Sequence, residues 1–163
     1  MARFFSAADI VEAAVEIERR GHTVYMKAAG ACKDARVKQF LEFFASEENR
    51  HQAIFEKMAS RLDPVKPPPQ SDASEYMEYL HSLLDQHELF AGKSPGRLLS
   101  EAGNMAAAIE LAMRIEKDTI LFFSEMQQLI PPAERAVVRE CIEEERSHFR
   151  QLNDMLAKLN SSA

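Results

Sequence analysis

Over four long stretches of the chain, apolar residues recur three, four and seven positions apart. That period belongs to helices with one buried stripe. The first stretch runs from about Ser6 to Gly30, with Ser6 placed to cap it and Asp9 in its first turn. The second runs from about Ala35 to Leu62 and stops at Asp63-Pro64. The third covers about Asn104 to Ile130 and is halted by Pro131-Pro132. The fourth begins at those prolines, which a first helical turn tolerates, and ends near Leu159. Between the second and third, Lys66-Pro67-Pro68-Pro69 is stiff and non-helical, Ser74 to Phe90 reads as a shorter helix, and Gly92 to Gly96 as a turn. Short links inside each pair predict antiparallel hairpins, and residues 63–103 form a long crossover between them. The expected fold is all-α: a four-helix bundle of two hairpins with a short extra helix in the crossover, in a single domain over 1–163.

The two hairpins repeat. Val15-Glu16-Ile17-Glu18, then Tyr25, is matched by Met113-Arg114-Ile115-Glu116, then Phe123, 98 residues later. Glu47-Glu48-Asn49-Arg50-His51 is matched by Glu144-Glu145-Arg146-Ser147-His148, 97 residues later. Met58 and Leu62 likewise match Met155 and Leu159. The repeat implies approximate two-fold symmetry within the bundle.

Four glutamates interrupt the apolar stripes. Glu18 shares its face with Val11, Ala14, Val15, His22 and Tyr25, and Glu116 with Ile109, Ala112, Met113, Ile120 and Phe123. Glu48 lies among Leu41, Phe44, Ala45 and Phe55, and Glu145 among Val138, Cys141, Ile142 and Leu152. Burying one unpaired charge costs several kcal/mol, and four like charges together also repel. Two divalent cations resolve this, because four negative charges meet four positive ones. Carboxylate with imidazole suits iron or manganese, and zinc is a further candidate. In Glu48-x-x-His51 and Glu145-x-x-His148 the two side chains lie one turn apart on one face. With Glu18 and Glu116 this is the ligand inventory of a two-metal bundle. The expected roles are Glu48 and Glu145 as bridges, Glu18 with His51 at one ion, and Glu116 with His148 at the other.

Composition narrows the picture further. Of 163 residues, 46% are hydrophobic and 28% charged, with no Trp and 5 Gly, a balance that favours helix. The formal net charge of −6 and the lack of a basic stripe argue against nucleic acid. No apolar run is long enough to span a bilayer, and the first residues do not read as a signal peptide, so the expected place is the cytoplasm. Cys32 and Cys141 form no CxxC pattern and read as small core residues.

On Glu18 with Tyr25, Glu48-x-x-His51, Glu116 and Glu145-x-x-His148, the chain resembles rubrerythrin-type members of the ferritin-like di-iron superfamily. The resemblance covers both hairpins. It implies a non-haem di-iron oxidoreductase that reduces hydrogen peroxide or reacts with oxygen, with two metal ions per chain. It also implies a homodimer. Ferroxidase or iron handling is the alternative activity, and a metal-binding structural bundle without redox chemistry is another. Typical relatives carry a four-cysteine rubredoxin domain, for which this sequence has no cysteines, so the expected electron donor is a separate rubredoxin-like protein. Rubrerythrins also carry an additional glutamate on the third long helix, three residues from the other. Here those positions are Met113 and Thr119, which puts the family's ligand exchange in question. Only Asn160 to Ala163 follow the fourth helix, where cage-forming ferritins place a fifth.

Several other residues invite a role. Tyr25 is suited to hydrogen-bond a ligand carboxylate, or simply to fill the core. His22 reads as packing, since Ile120 is its repeat partner. His81 and His87 are expected to face solvent, and Glu47 and Glu144 to pair at the surface. Cys141, one turn before Glu145, reads as a buried inert thiol, and the methionines as gap-filling core.

Overall fold

The computed structural model describes residues 7–62, 73–91 and 105–161. They form five helices: α1 (Ala7–Ala31), α2 (Ala35–Ala59), α3 (Ala73–Gln86), α4 (Met105–Leu129) and α5 (Arg135–Ser161). Each 25-residue helix is about 37 Å long at 1.5 Å per residue, so a glutamate near its centre is far from either end.

Helices α1 and α2 pack along one another as one hairpin, α4 and α5 as the other. The two hairpins meet through α1 against α4 and α2 against α5, while α3 lies on α4. The expected four-helix bundle with a short extra helix in the crossover is the architecture found.

The ends differ in detail from the sequence reading. Ser6, Asn104, the Lys66–Pro69 segment and the Gly92–Gly96 turn lie outside the described residues. The α2 start is set by Asp34, whose carboxylate accepts from the Arg36 and Val37 amides and supplies partners that the first turn lacks. The fourth long helix does not begin at Pro131-Pro132. Those prolines open a turn, closed by Glu134 N–H to Pro131 O and Arg135 N–H to Pro132 O, and regular helix starts at Arg135. The short helix ends at Gln86 rather than Phe90, because Phe90 and Ala91 fold back to the His87 carbonyl.

The core divides into two apolar clusters. One gathers Ile10, Val11, Ala14 and Ile17 of α1 with Phe55, Met58, Phe123, Met126, Val138 and Ile142. The other gathers Tyr25, Ala28, Leu41, Phe44, Ile109, Ala112 and Leu152. On α2 and α5 the glutamate falls between the stretch that feeds one cluster and the stretch that feeds the other. Full burial of each large side chain stabilises the fold by about 1.5–3 kcal/mol, so both clusters hold the helices together around a charged middle. No helix among the described residues is long and apolar enough to cross a membrane.

Candidate metal centre

Glu18, Glu48, Glu116 and Glu145 all point inward, and none is more than 4% exposed. His51 and His148 are buried with them. The structure therefore brings together all six residues expected from the sequence. Their helical placement explains it: each sits on the apolar stripe of its helix, so the packing that buries the stripe buries the charge.

The six form two donor groups, and a third, of His51 with the partly exposed Glu47 and Glu144, lies beside them. One atom each from Glu18, His51 and Glu145 lie within 4.8 Å of one another, and so do one atom each from Glu48, Glu116, Glu145 and His148. Glu145 belongs to both. Glu48, expected as a second bridge, groups only with the second set. His51 Nδ1 lies 2.7 Å from Glu145 Oε1 and 3.6 Å from Glu18 Oε1. His148 Nδ1 lies 3.0 Å from Glu145 Oε2, 3.8 Å from Glu116 Oε1 and 4.0 Å from Glu48 Oε1. Both imidazoles thus turn the same nitrogen toward the carboxylates.

The electrostatics are those of like charges gathered in a buried site. Burial, reinforced by the charge of Glu145, holds the Glu18 carboxyl well above its ordinary range. Burial likewise raises Glu48, with Glu18 and Glu145 adding to it. Glu116 is raised by burial and by Glu145 and Glu48. For Glu145 burial pushes upward but the two histidines outweigh it, and its carboxyl is held well below the usual range. Burial would lower His51; Glu145 beside it prevails, and His51 is pushed up to about 10.

Both oxygens of Glu18, Oε1 of Glu145 and Nδ1 of His51 are buried without a hydrogen-bond partner among the described residues. The 2.7 Å approach of the last two is close but does not meet hydrogen-bond geometry. Buried polar atoms are nearly always satisfied. One donor atom from each of these three residues lies within 4.8 Å of the others, and a donor set of carboxylate and imidazole fits divalent iron, manganese or zinc.

Neighbouring residues hold the six in place. The Tyr25 hydroxyl, buried on α1, donates to Glu116 Oε1 on α4. Burial first, then the charge of Glu116, raises the Tyr25 hydroxyl well above its ordinary range, so it remains a donor. His22 donates from Nδ1 to the Ala45 carbonyl at 2.7 Å, tying α1 to α2 as a packing residue. Cys141 is buried and its thiol is pushed up to about 12 by burial, which keeps it protonated and inert.

Three residues differ from expectation or escaped it. His87 is buried, not solvent-facing: burial lowers it to about 4, and its ring bonds Thr119 Oγ1 while accepting from the Leu89 amide. Thr119, one of the two positions where the resemblance looks for an additional glutamate, therefore anchors the end of the crossover turn. Gly21 was not singled out. It gives the backbone room for Glu48, and an isolated glycine inside a helical pattern is the signal that marks it. Glu144 pairs with Arg50 as a surface residue would, but it also reaches His51.

Comparison with known proteins agrees with this arrangement. A family model described as rubrerythrin matches residues 9–156. The chain belongs to the rubrerythrin family. Its fold is similar to that of a Thermotoga maritima protein described as ferritin-like and diiron-carboxylate, with a TM-score of 0.66 over 94% of this chain and 96% of that one, at 19% identity. No curated protein matches the chain.

Proposed function

We propose that the chain is a non-haem di-iron oxidoreductase that reduces hydrogen peroxide. The observation that carries this reading is the set of unsatisfied buried atoms on Glu18, His51 and Glu145, beside a second donor group of Glu48, Glu116, Glu145 and His148. Glu18, His51 and Glu145 would hold one ion; Glu48, Glu116, Glu145 and His148 would hold the other. Two ferrous ions, held there, would supply the two electrons that, with two protons, take hydrogen peroxide to two waters. Four carboxylates balance the charge of two divalent cations, and the apolar clusters on both sides keep bulk water away. Tyr25 fixes the Glu116 carboxylate so that it does not swing. On this reading the electrons are restored by a separate rubredoxin-like donor protein.

Stopped-flow absorbance tests it. The diferrous protein, mixed anaerobically with hydrogen peroxide, is expected to oxidise at least tenfold faster than it does with oxygen and faster than free ferrous ion. Oxidation by peroxide at the rate of free ferrous ion would overturn the peroxidase reading. A preference for oxygen would favour ferroxidase activity instead.

A further inference from the structure

Glu144 is the neighbour of Glu145 on α5, yet it approaches His51 from the opposite side. Its Oε2 lies 2.5 Å from His51 Nε2. The same oxygen accepts from Arg50 Nη2, and that guanidinium also bonds Glu47 Oε2 at 3.0 Å. The His51 ring is thus held at Nε2, by Glu144 with Arg50 Nη2 3.3 Å away, while Nδ1 faces Glu145 and Glu18. The two nitrogens of an imidazole point away from each other, so whatever fixes one aims the other. A carboxylate at Nε2 also keeps a proton there, so that it is the Nδ1 proton that a cation displaces.

The other half of the repeat is built differently. Glu47 stands 97 residues before Glu144, in the equivalent place, but its carboxylate is bonded to Arg50. His148 is held instead by aromatic packing: Phe44 with ring centroids 4.6 Å apart, and Phe43 edge-on at 6.3 Å. Where Phe44 lies against His148, the repeat places Cys141 on the His51 side. The approximate two-fold symmetry is broken around the two histidines.

We propose that Glu144 is a positioning residue for one metal position only: it anchors His51 Nε2 and presents Nδ1 to the Glu18–Glu145 side. The proposal rests on the two-metal reading above. A purely structural reading of Glu144 is an interhelix clamp, joining α5 to α2 through Arg50.

Anaerobic titration of the metal-free full chain with cobalt(II), followed by absorbance and calorimetry, separates the two. The wild-type protein is expected to bind two ions in two resolved steps. Glu144→Leu should weaken one step by about 10- to 100-fold, the range for removing the outer partner of a metal-binding histidine, and change the other by less than about threefold. Glu144→Gln, whose amide oxygen still accepts from Nε2–H, should restore most of the weakened step. Arg50→Met removes the clamp together with a guanidinium nitrogen 3.3 Å from His51 Nε2, and is expected to weaken that step less than Glu144→Leu does; a loss as large would mean that the clamp, not Glu144, sets the histidine. Equal weakening of both steps, no weakening in Glu144→Leu, or a Gln variant as weak as Leu would overturn the positioning role while two-ion binding survives. A wild-type protein that fails to bind two ions would overturn both this proposal and the two-metal reading.

Discussion

A methyl group added at Gly21 would come within 2.6 Å of Glu48 Oε2, which no real contact permits. The atom it meets is the far end of a flexible side chain, so the helix can survive the change and the carboxylate cannot stay where it is. Gly21→Ala is expected to stabilise the metal-free helix by about 0.5–1 kcal/mol, because alanine is the better helix former. It should also weaken divalent-ion binding at the Glu48, Glu116, Glu145 and His148 group by about tenfold or more. Thermal melting and metal titration of one variant check both halves, and unchanged affinity would show that Glu48 need not be where it is. The six buried donors were legible in the sequence because each sits at helical spacing within an apolar stripe. Gly21, Glu144 and His87 were not, for a common reason: their roles depend on which helix lies opposite. Glu144 is one residue off the buried stripe of its own helix and becomes relevant only because His51 crosses it from α2. His87 follows a short helix whose own pattern says nothing about Thr119 on α4.

Helix existence and pairing were read from period and link length, and the ends were not. Two prolines at 131 and 132 are compatible with a first helical turn, but here the chain turns before the helix begins. At α2 the start is fixed by a cap whose worth can be measured. Asp34 accepts from two amides of the first turn, at 2.9 and 3.0 Å. Asp34→Ala should cost about 1 kcal/mol in denaturant unfolding, and Asp34→Asn or Asp34→Ser much less, since both still cap. A loss equal for all three variants would mean that the carboxylate acts through something other than the cap. The internal repeat was also legible, and it predicts the hairpin pairing correctly. It does not reveal where the halves diverge, because divergence lies in contacts such as Phe44 with His148, set by three-dimensional packing.

At the scale of the molecule, the fold surrounds a charged middle with two apolar clusters, and its stability must therefore depend on protons when metal is absent. Glu18, Glu48 and Glu116 all have carboxyls raised above their ordinary value of 4.5. Below that value folded and unfolded chains are both protonated there and the stabilisation is complete. As pH climbs, the unfolded chain releases protons that the folded chain retains, and stability falls. His51, pushed up to about 10, adds to the loss above about pH 6.5. His87, lowered to about 4, works the other way between pH 6.5 and 4. Glu145, held low, contributes throughout that range. Four groups against one leave the metal-free protein melting higher at pH 5 than at pH 7. With metal bound the order should reverse, because protons compete with cations for the same oxygens. Calorimetry at the two pH values, with chelator and with added ferrous ion, reads both slopes. The same slope in both states would mean that the buried carboxylates do not take the metal.

The most direct test is anomalous diffraction from crystals grown with ferrous ion under nitrogen. Two iron peaks are expected between α1, α2, α4 and α5, with Glu145 at both and His51 and His148 each at one through Nδ1. A map with no iron peak among these six residues, or with their carboxylates turned out toward solvent, would contradict the two-metal reading.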